Sequence, residues 1–180
     1  MRRLLHAVIV GAIGAGIVHI AVLLMVPEFS ERDAWSRLAM ASDLYRMAPL
    51  VPEPGGAPVV KSVDPLFRAA ACRFDLDDGV VHVQAPGRVP FWSMSVYDRN
   101  GQNIFSFNDR TSADGKVNFV VLTPAQTIEV RKQLPEEFIN SVFVESDIDQ
   151  GIVVVRAFVP DRTWRTAIDD FLSGVSCALR

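Results

Sequence analysis

From Leu4 to Val26 the chain carries 23 residues without an Asp, Glu, Lys or Arg. As a helix rising about 1.5 Å per residue, that run spans about 34 Å, enough to cross a hydrocarbon core of ~30 Å with some tilt. Arg2 and Arg3 precede the run, and Glu28, Glu31 and Asp33 follow it. Positive charge stays on the cytoplasmic side of a membrane, so the flanks predict an inside tip over residues 1–3 and an outside remainder. A cleaved signal peptide is the competing reading. Its apolar core is shorter, about 7–15 residues, with small residues before the cut. Here the run ends in Leu23-Leu24-Met25-Val26-Pro27. Bulky residues and a proline suit a cleavage site poorly, so residues 4–26 are read as an uncleaved anchor. No lipid-acceptor cysteine stands near the N-terminus.

Beyond the anchor the pattern changes twice. Residues 27–64 read as a juxtamembrane helix and a linker. Ser30 and Asp33 offer a capping box for a helix over Glu31–Ala41, resuming after a break at Pro27, with Trp35 and Leu38 on its apolar stripe. Pro49, Pro52, Pro54, Gly55, Gly56 and Pro58 then exclude a regular element. Residues 65–180 read as one β-rich outer domain closed by a C-terminal helix. Short apolar runs predict strands near 67–75, 80–85, 91–98, 102–108, 117–122, 141–146 and 152–159, with turn residues between them. Their close spacing favours an antiparallel β-sandwich or open barrel, mainly β with a few helices. Thr123-Pro124-Ala125-Gln126 starts one helix, with Thr as cap, Pro first inside and Gln three residues on. A last helix is capped by Asp161 or Thr163 and runs to about Cys177, with Trp164, Ile168, Phe171, Leu172 and Val175 as its stripe.

One hairpin can be registered from sequence. A two-residue type I′ turn at Asn100-Gly101 pairs Val96 with Phe105, Met94 with Phe107 and Ser95 with Ser106. Slipping by one residue turns the large apolar groups to water. The register gathers Ser93, Ser95, Tyr97, Ser106 and Asn108 on one face.

Composition narrows the chemistry. A net charge of -3 argues against nucleic acid as a partner. Two cysteines exclude a multi-cysteine metal cluster, and three histidines, of which His6 and His19 lie in the anchor, leave His82 alone outside it. His82 reads as a solvated strand residue. No metal site, cofactor or catalytic residue is read from the sequence, and no nucleophile motif or phosphate loop is present. Cys72 and Cys177 form either a disulfide, plausible in an oxidising compartment, or two buried thiols. Arg73 and Arg156 sit inside apolar strands and call for a carboxylate or carbonyl partner, with an ion pair to, for example, Asp75 or Glu145 favoured over an anion-binding role.

Two candidate interaction surfaces remain. The densest polar–aromatic stretch supplies Trp92, Ser93, Ser95, Tyr97, Asp98, Arg99, Asn108 and Arg110 as ligand-binding candidates for a sugar or polar headgroup, against an ordinary solvated face. In the anchor, Gly11, Ala15 and His19 are spaced by four, so small residues there would let a partner's membrane helix approach.

Asp64-Pro65-Leu66-Phe67, Cys72-Arg73-Phe74-Asp75-Leu76, Phe91-Trp92-Ser93-Met94-Ser95-Val96-Tyr97-Asp98 and Asn108-Asp109-Arg110 resemble a bacterial family, domain of unknown function 1254. The Phe-Trp-Ser run is also similar to the companion domain of unknown function 1214. The resemblance covers residues 30–178 and implies a β-rich fold and a separate partner membrane protein carrying the companion domain. It implies no catalytic residues. The reading that follows is a single-pass protein of the bacterial inner membrane, in contact with lipid. Its outer domain is periplasmic and serves as an accessory or interaction subunit in envelope assembly. A glycan- or headgroup-binding module is the alternative, and an envelope hydrolase comes third.

Overall fold

A computed structural model describes residues 1–51, 59–60, 64–112 and 114–180, with the backbone alone for residues 26–33. The first helix, α1 (Arg2–Ala41), is continuous over 40 residues. The expected break at Pro27 and fresh start at Ser30 are therefore corrected. Proline deletes one bond of the helical ladder, which does not end a helix fixed by an apolar run before it and a sheet contact after it. The side chains of the Ser30–Asp33 capping box, and most of the linker read over Met47–Asp64, lie outside the described residues. Arg2–Met25 is long and apolar enough to cross a membrane, and none of it is buried.

Two sheets follow. The first orders β1 (Ala48–Pro49), β2 (Phe67–Asp75), β8 (Gln150–Phe158), β4 (Trp92–Asp98) and β5 (Asn103–Asn108), all antiparallel. The second orders β7 (Val142–Glu145), β6 (Asn118–Leu122), β3 (Val81–Gln84) and β9 (Ser176–Leu179). In it β6 and β7 run parallel, an exception to the antiparallel expectation. The reason is α2 (Pro124–Lys132), which carries the chain back across the sheet, as a parallel connection requires. Its capping box forms as read: Thr123 accepts from the Gln126 amide, and the Gln126 side chain accepts from the Thr123 amide.

Three local readings are corrected. β1 lies where no element was expected, because a proline is tolerated on an edge strand. The last helix, α3 (Arg165–Ser173), stops at Gly174, and the chain ends in β9. Trp164 belongs to a short 3-10 turn capped by Asp161 and stays 39% exposed, off the stripe that Ile168, Phe171 and Leu172 bury. The β4–β5 register matches the expected pairs, but its turn does not. Asp98 accepts backbone bonds from both Asn100 and Gln102, and only Gly101 adopts positive φ, at +81°. A type I′ turn needs positive φ at both central residues. The loop is one residue longer, and a bulge at Ile104 restores the register.

Successive strand residues face opposite sides. Phe74, Trp92, Met94, Val96, Val153 and Val155 from the first sheet meet Val81, Val83, Phe119 and Val121 from the second. Gly151 is required by this packing: a Cβ there would stand 2.5 Å from the Phe74 ring and 2.6 Å from the Tyr97 carbonyl. The core holds the disulfide Cys72–Cys177, with α-carbons 6.5 Å apart. It ties sheet to sheet, because Cys177 lies in β9 and not in the closing helix.

The outer faces are covered differently. On the second sheet, Val130 of α2 and Phe138 of the following short turn cover Val120, Leu122 and His82. His82 is 1% exposed, bonded to the Asn118 side chain at 2.9 Å, and is not the solvated residue expected. On the first sheet the cover is the end of α1.

Candidate functional site

The outer face of the first sheet is built from alternate positions on four strands. β2 and β8 supply Ala69, Ala71, Ile152 and Val154, and the last turns of α1 set Trp35 and Leu38 on them, with Leu50 and Val59. Toward β5 the face turns polar. Cross-strand rows place Arg156 beside Ser93 and Ser93 beside Asn108. Arg156 donates to the Tyr97 hydroxyl at 3.0 Å and to Ser95 at 3.4 Å. Ser106 lies 2.9 Å from Ser95 and accepts from Asn103 at 2.9 Å.

Electrostatics follow from this. Burial pushes the Tyr97 phenol up, but hydrogen bonds from Arg156 and Ser95, and the Arg156 charge, outweigh it and hold the phenol below its ordinary value. Arg73, 9% exposed, donates to the Ser42 carbonyl at 3.0 Å, and its guanidinium stands 5.0 Å from the Trp35 ring. Burial lowers its pKa, and Asp43 works in the opposite direction. Arg99 covers the same ring at 5.4 Å and donates to Gln150, which in turn donates to Asp75. Cation–ring contacts of this kind contribute about 0.5–2 kcal/mol each. They fasten α1 to the sheet. Of the carboxylate or carbonyl partners expected, Arg73 takes a carbonyl, with a ring beside it; among the described residues neither arginine makes the ion pair with Asp75 or Glu145, and two hydroxyls serve Arg156.

The structure brings Ser93, Ser95, Tyr97, Ser106 and Asn108 onto one surface, as the register predicts, with Arg156 and Asn103 added. It does not bring Trp92 there. That indole is fully buried on the core side and donates to the Gly115 carbonyl, so it cannot floor an outer site. Asp98 is occupied by its turn, and Arg99 by Trp35 and Gln150. Asn108 turns back on its own loop, accepting from the Arg110 amide. Arg110 is exposed. Trp35 and Arg156 were visible in sequence as a stripe residue and a strand arginine, but no local pattern marks the contacts they make. Gly11, Ala15 and His19 are all exposed on α1.

Clefts open elsewhere. One of about 470 Å³ lies at the end of the second sheet, among Gln84, Lys116, Asn118, Asn140 and Ser176. Another of about 460 Å³ is bordered by Asp77, Asp98, Asp147, Asp149 and Arg99. Among the described residues no three His, Cys, Asp or Glu side chains converge as metal ligands.

The apolar N-terminal helix and the disulfide together point to a location outside the cytoplasm. No curated protein matches the chain. The fold is similar to the crystal structure of the VPA0106 protein from Vibrio parahaemolyticus, with a TM-score of 0.59 at 11% identity, covering 83% of this chain and 34% of that one. An uncharacterised protein from Burkholderia cenocepacia is similar at a TM-score of 0.47 and 16% identity, covering 79% of this chain and 38% of that one. The chain therefore spans about a third of the length of these solved structures. The model of the family described as protein of unknown function (DUF1254) matches residues 60–178, which takes in both sheets from β2 to β9, and the chain belongs to that family.

Proposed function

We propose that this chain is a single-pass inner-membrane protein that holds its sandwich in the periplasm as an accessory, partner-binding subunit of the cell envelope. The observation that carries the reading is the continuity of α1. Its exposed apolar part and the turns that bear Trp35 and Leu38 are one helix. Such a helix transmits the position of the membrane to the domain without a flexible joint. The partner fits the face of Gly11, Ala15 and His19, where small residues permit close backbone approach and His19 offers a hydrogen bond. The simplest occupant is the membrane helix of a protein carrying the companion domain.

Affinity purification in mild detergent tests this. The wild-type chain is expected to bring down one membrane protein in constant ratio. Gly11→Leu combined with Ala15→Leu keeps the segment apolar and inserted, and is expected to lose that protein. Retention at the wild-type level would move recognition to the outer domain.

A second reading has its own observation. Ser93 makes no side-chain hydrogen bond among the described residues, and Ser106 and Asn103 are exposed further along the same face, across from Ser95 and Tyr97. A hydroxyl- and amide-lined face of this kind suits a glycan or a lipid headgroup.

A further inference from the structure

We propose that Arg156, with Ser93 directly across from it and Ser106 on the next strand beyond Ser95, is a binding site for an anionic oxygen group, and that the phosphate of a bilayer lipid headgroup is the form this anchored chain meets. The inference rests on the headgroup reading of the face and gives its chemistry.

Arg156 lies inside β8, half-buried, with Ala69 on one side and Ser93 on the other. Among the described residues no carboxylate lies within salt-bridge distance of it; its bonds go to the neutral hydroxyls of Tyr97 and Ser95. A guanidinium taken partly out of water is stabilised by an opposite charge, and hydroxyls supply none. The geometry suits an anion. Arginine presents several donors in a planar fork, of which two are used here, and that fork matches phosphate oxygens. Ser93, directly across the strand, has an unengaged hydroxyl, and Ser106 stands one pair further on and exposed. The Tyr97 phenol, raised by burial but held below its ordinary value by hydrogen bonds from Arg156 and Ser95 and by the Arg156 charge, lies beside the same cation.

The fold also sets where this face stands. Trp35 packs on the same face, beside Tyr97. From Met25, the last residue of the apolar span, to Trp35 is ten helical residues, about 15 Å along the axis. That distance lies just beyond the headgroup layer, about 5–8 Å thick on each side, so tilting of the anchored helix brings the face to the lipid phosphates.

The test uses the full-length protein in neutral maltoside micelles at constant ionic strength. Thermal unfolding is followed while dihexanoyl-phosphatidylglycerol, a dihexanoyl glycolipid with an uncharged sugar head, or inorganic phosphate is added. Phosphatidylglycerol is expected to raise the midpoint in a saturable way. Arg156→Gln is expected to weaken its apparent affinity about tenfold, in line with one lost charge-assisted bond, and Arg156→Lys to restore part of it. A matching response to inorganic phosphate would make phosphate itself the ligand; a response to the lipid alone makes the headgroup the source. Where Arg156→Gln fails to fold, Ser106→Ala and Arg156→Lys replace it, each expected to weaken phosphatidylglycerol. Equal phosphatidylglycerol affinity in wild type and variants overturns the proposal. Binding of the uncharged glycolipid that Arg156→Gln leaves intact also overturns it, yet keeps the face as a ligand surface. No response to any probe removes both.

Discussion

The chain has two tyrosines, and they sit in opposite electrical surroundings. Tyr45, at a φ of 60°, sets its one hydroxyl proton between two acceptors, the Asp75 carbonyl and the Asp78 carboxylate. Burial and that carboxylate push its phenol well above the ordinary value of 10.0. Tyr97, facing Arg156, is held below it. An absorbance titration of the folded protein is therefore expected to show two separate phenol steps, Tyr97 first. Tyr45→Phe should remove the late step, and Arg156→Gln should move the early one upward. The linkage has opposite signs. The Tyr45 shift stabilises the fold below pH 10 and is lost as pH rises through its raised value. The Tyr97 shift contributes nothing at neutral pH, and its stabilisation is complete only above pH 10. Superimposed steps near the ordinary value would contradict both environments. What a sequence can disclose at this scale is limited. Ser93, Ser95 and Tyr97 share a face by alternation alone, whereas the partners of Arg73 and Arg156 come from Ser42, Trp35 and the neighbouring β4, across distances in sequence that no local pattern spans.

Among the elements, those with local chemistry were legible. The capping box of α2 is written in four consecutive residues, and β2 is bounded as its apolar run is. Thr123→Ala removes the hydroxyl that accepts from Gln126. It is expected to cost about 0.5–2 kcal/mol of stability in denaturant unfolding, with Thr123→Ser close to wild type. A cost near zero would mean that α2 is held by its packing on the second sheet alone. The C-terminus was not legible, for a physical reason. Val175 and Cys177 are spaced by two, which a strand needs, but they follow a helical stripe that Val175 extends in register. Only pairing with β3, some 90 residues earlier in the chain, makes Ser176–Leu179 a strand. His82 escaped for the same kind of reason: the turn that buries it, Glu136–Phe138, lies far along the sequence.

At the scale of the molecule, α1 joins a segment long and apolar enough to cross a membrane to one sheet, and a disulfide joins that sheet to the other. The disulfide closes a span of 105 residues. Constraining an unfolded chain over that length stabilises the fold by about 4–5 kcal/mol, less any native strain. Reduction, or Cys72→Ala with Cys177→Ala, is expected to lower the denaturant midpoint strongly while leaving the unreduced wild type unaffected by a thiol-blocking reagent. Two thiols that label in the unfolded, unreduced protein would contradict the bridge. The central claim is that α1 stays whole, so that the sandwich is held at the membrane by the same helix that packs on it. Sequencing the N-terminus of the mature protein from the membrane fraction tests this directly. Retention of residues 1–26 in a chain that resists alkaline extraction is the expected result. A mature chain beginning near residue 27 and released in soluble form would contradict it.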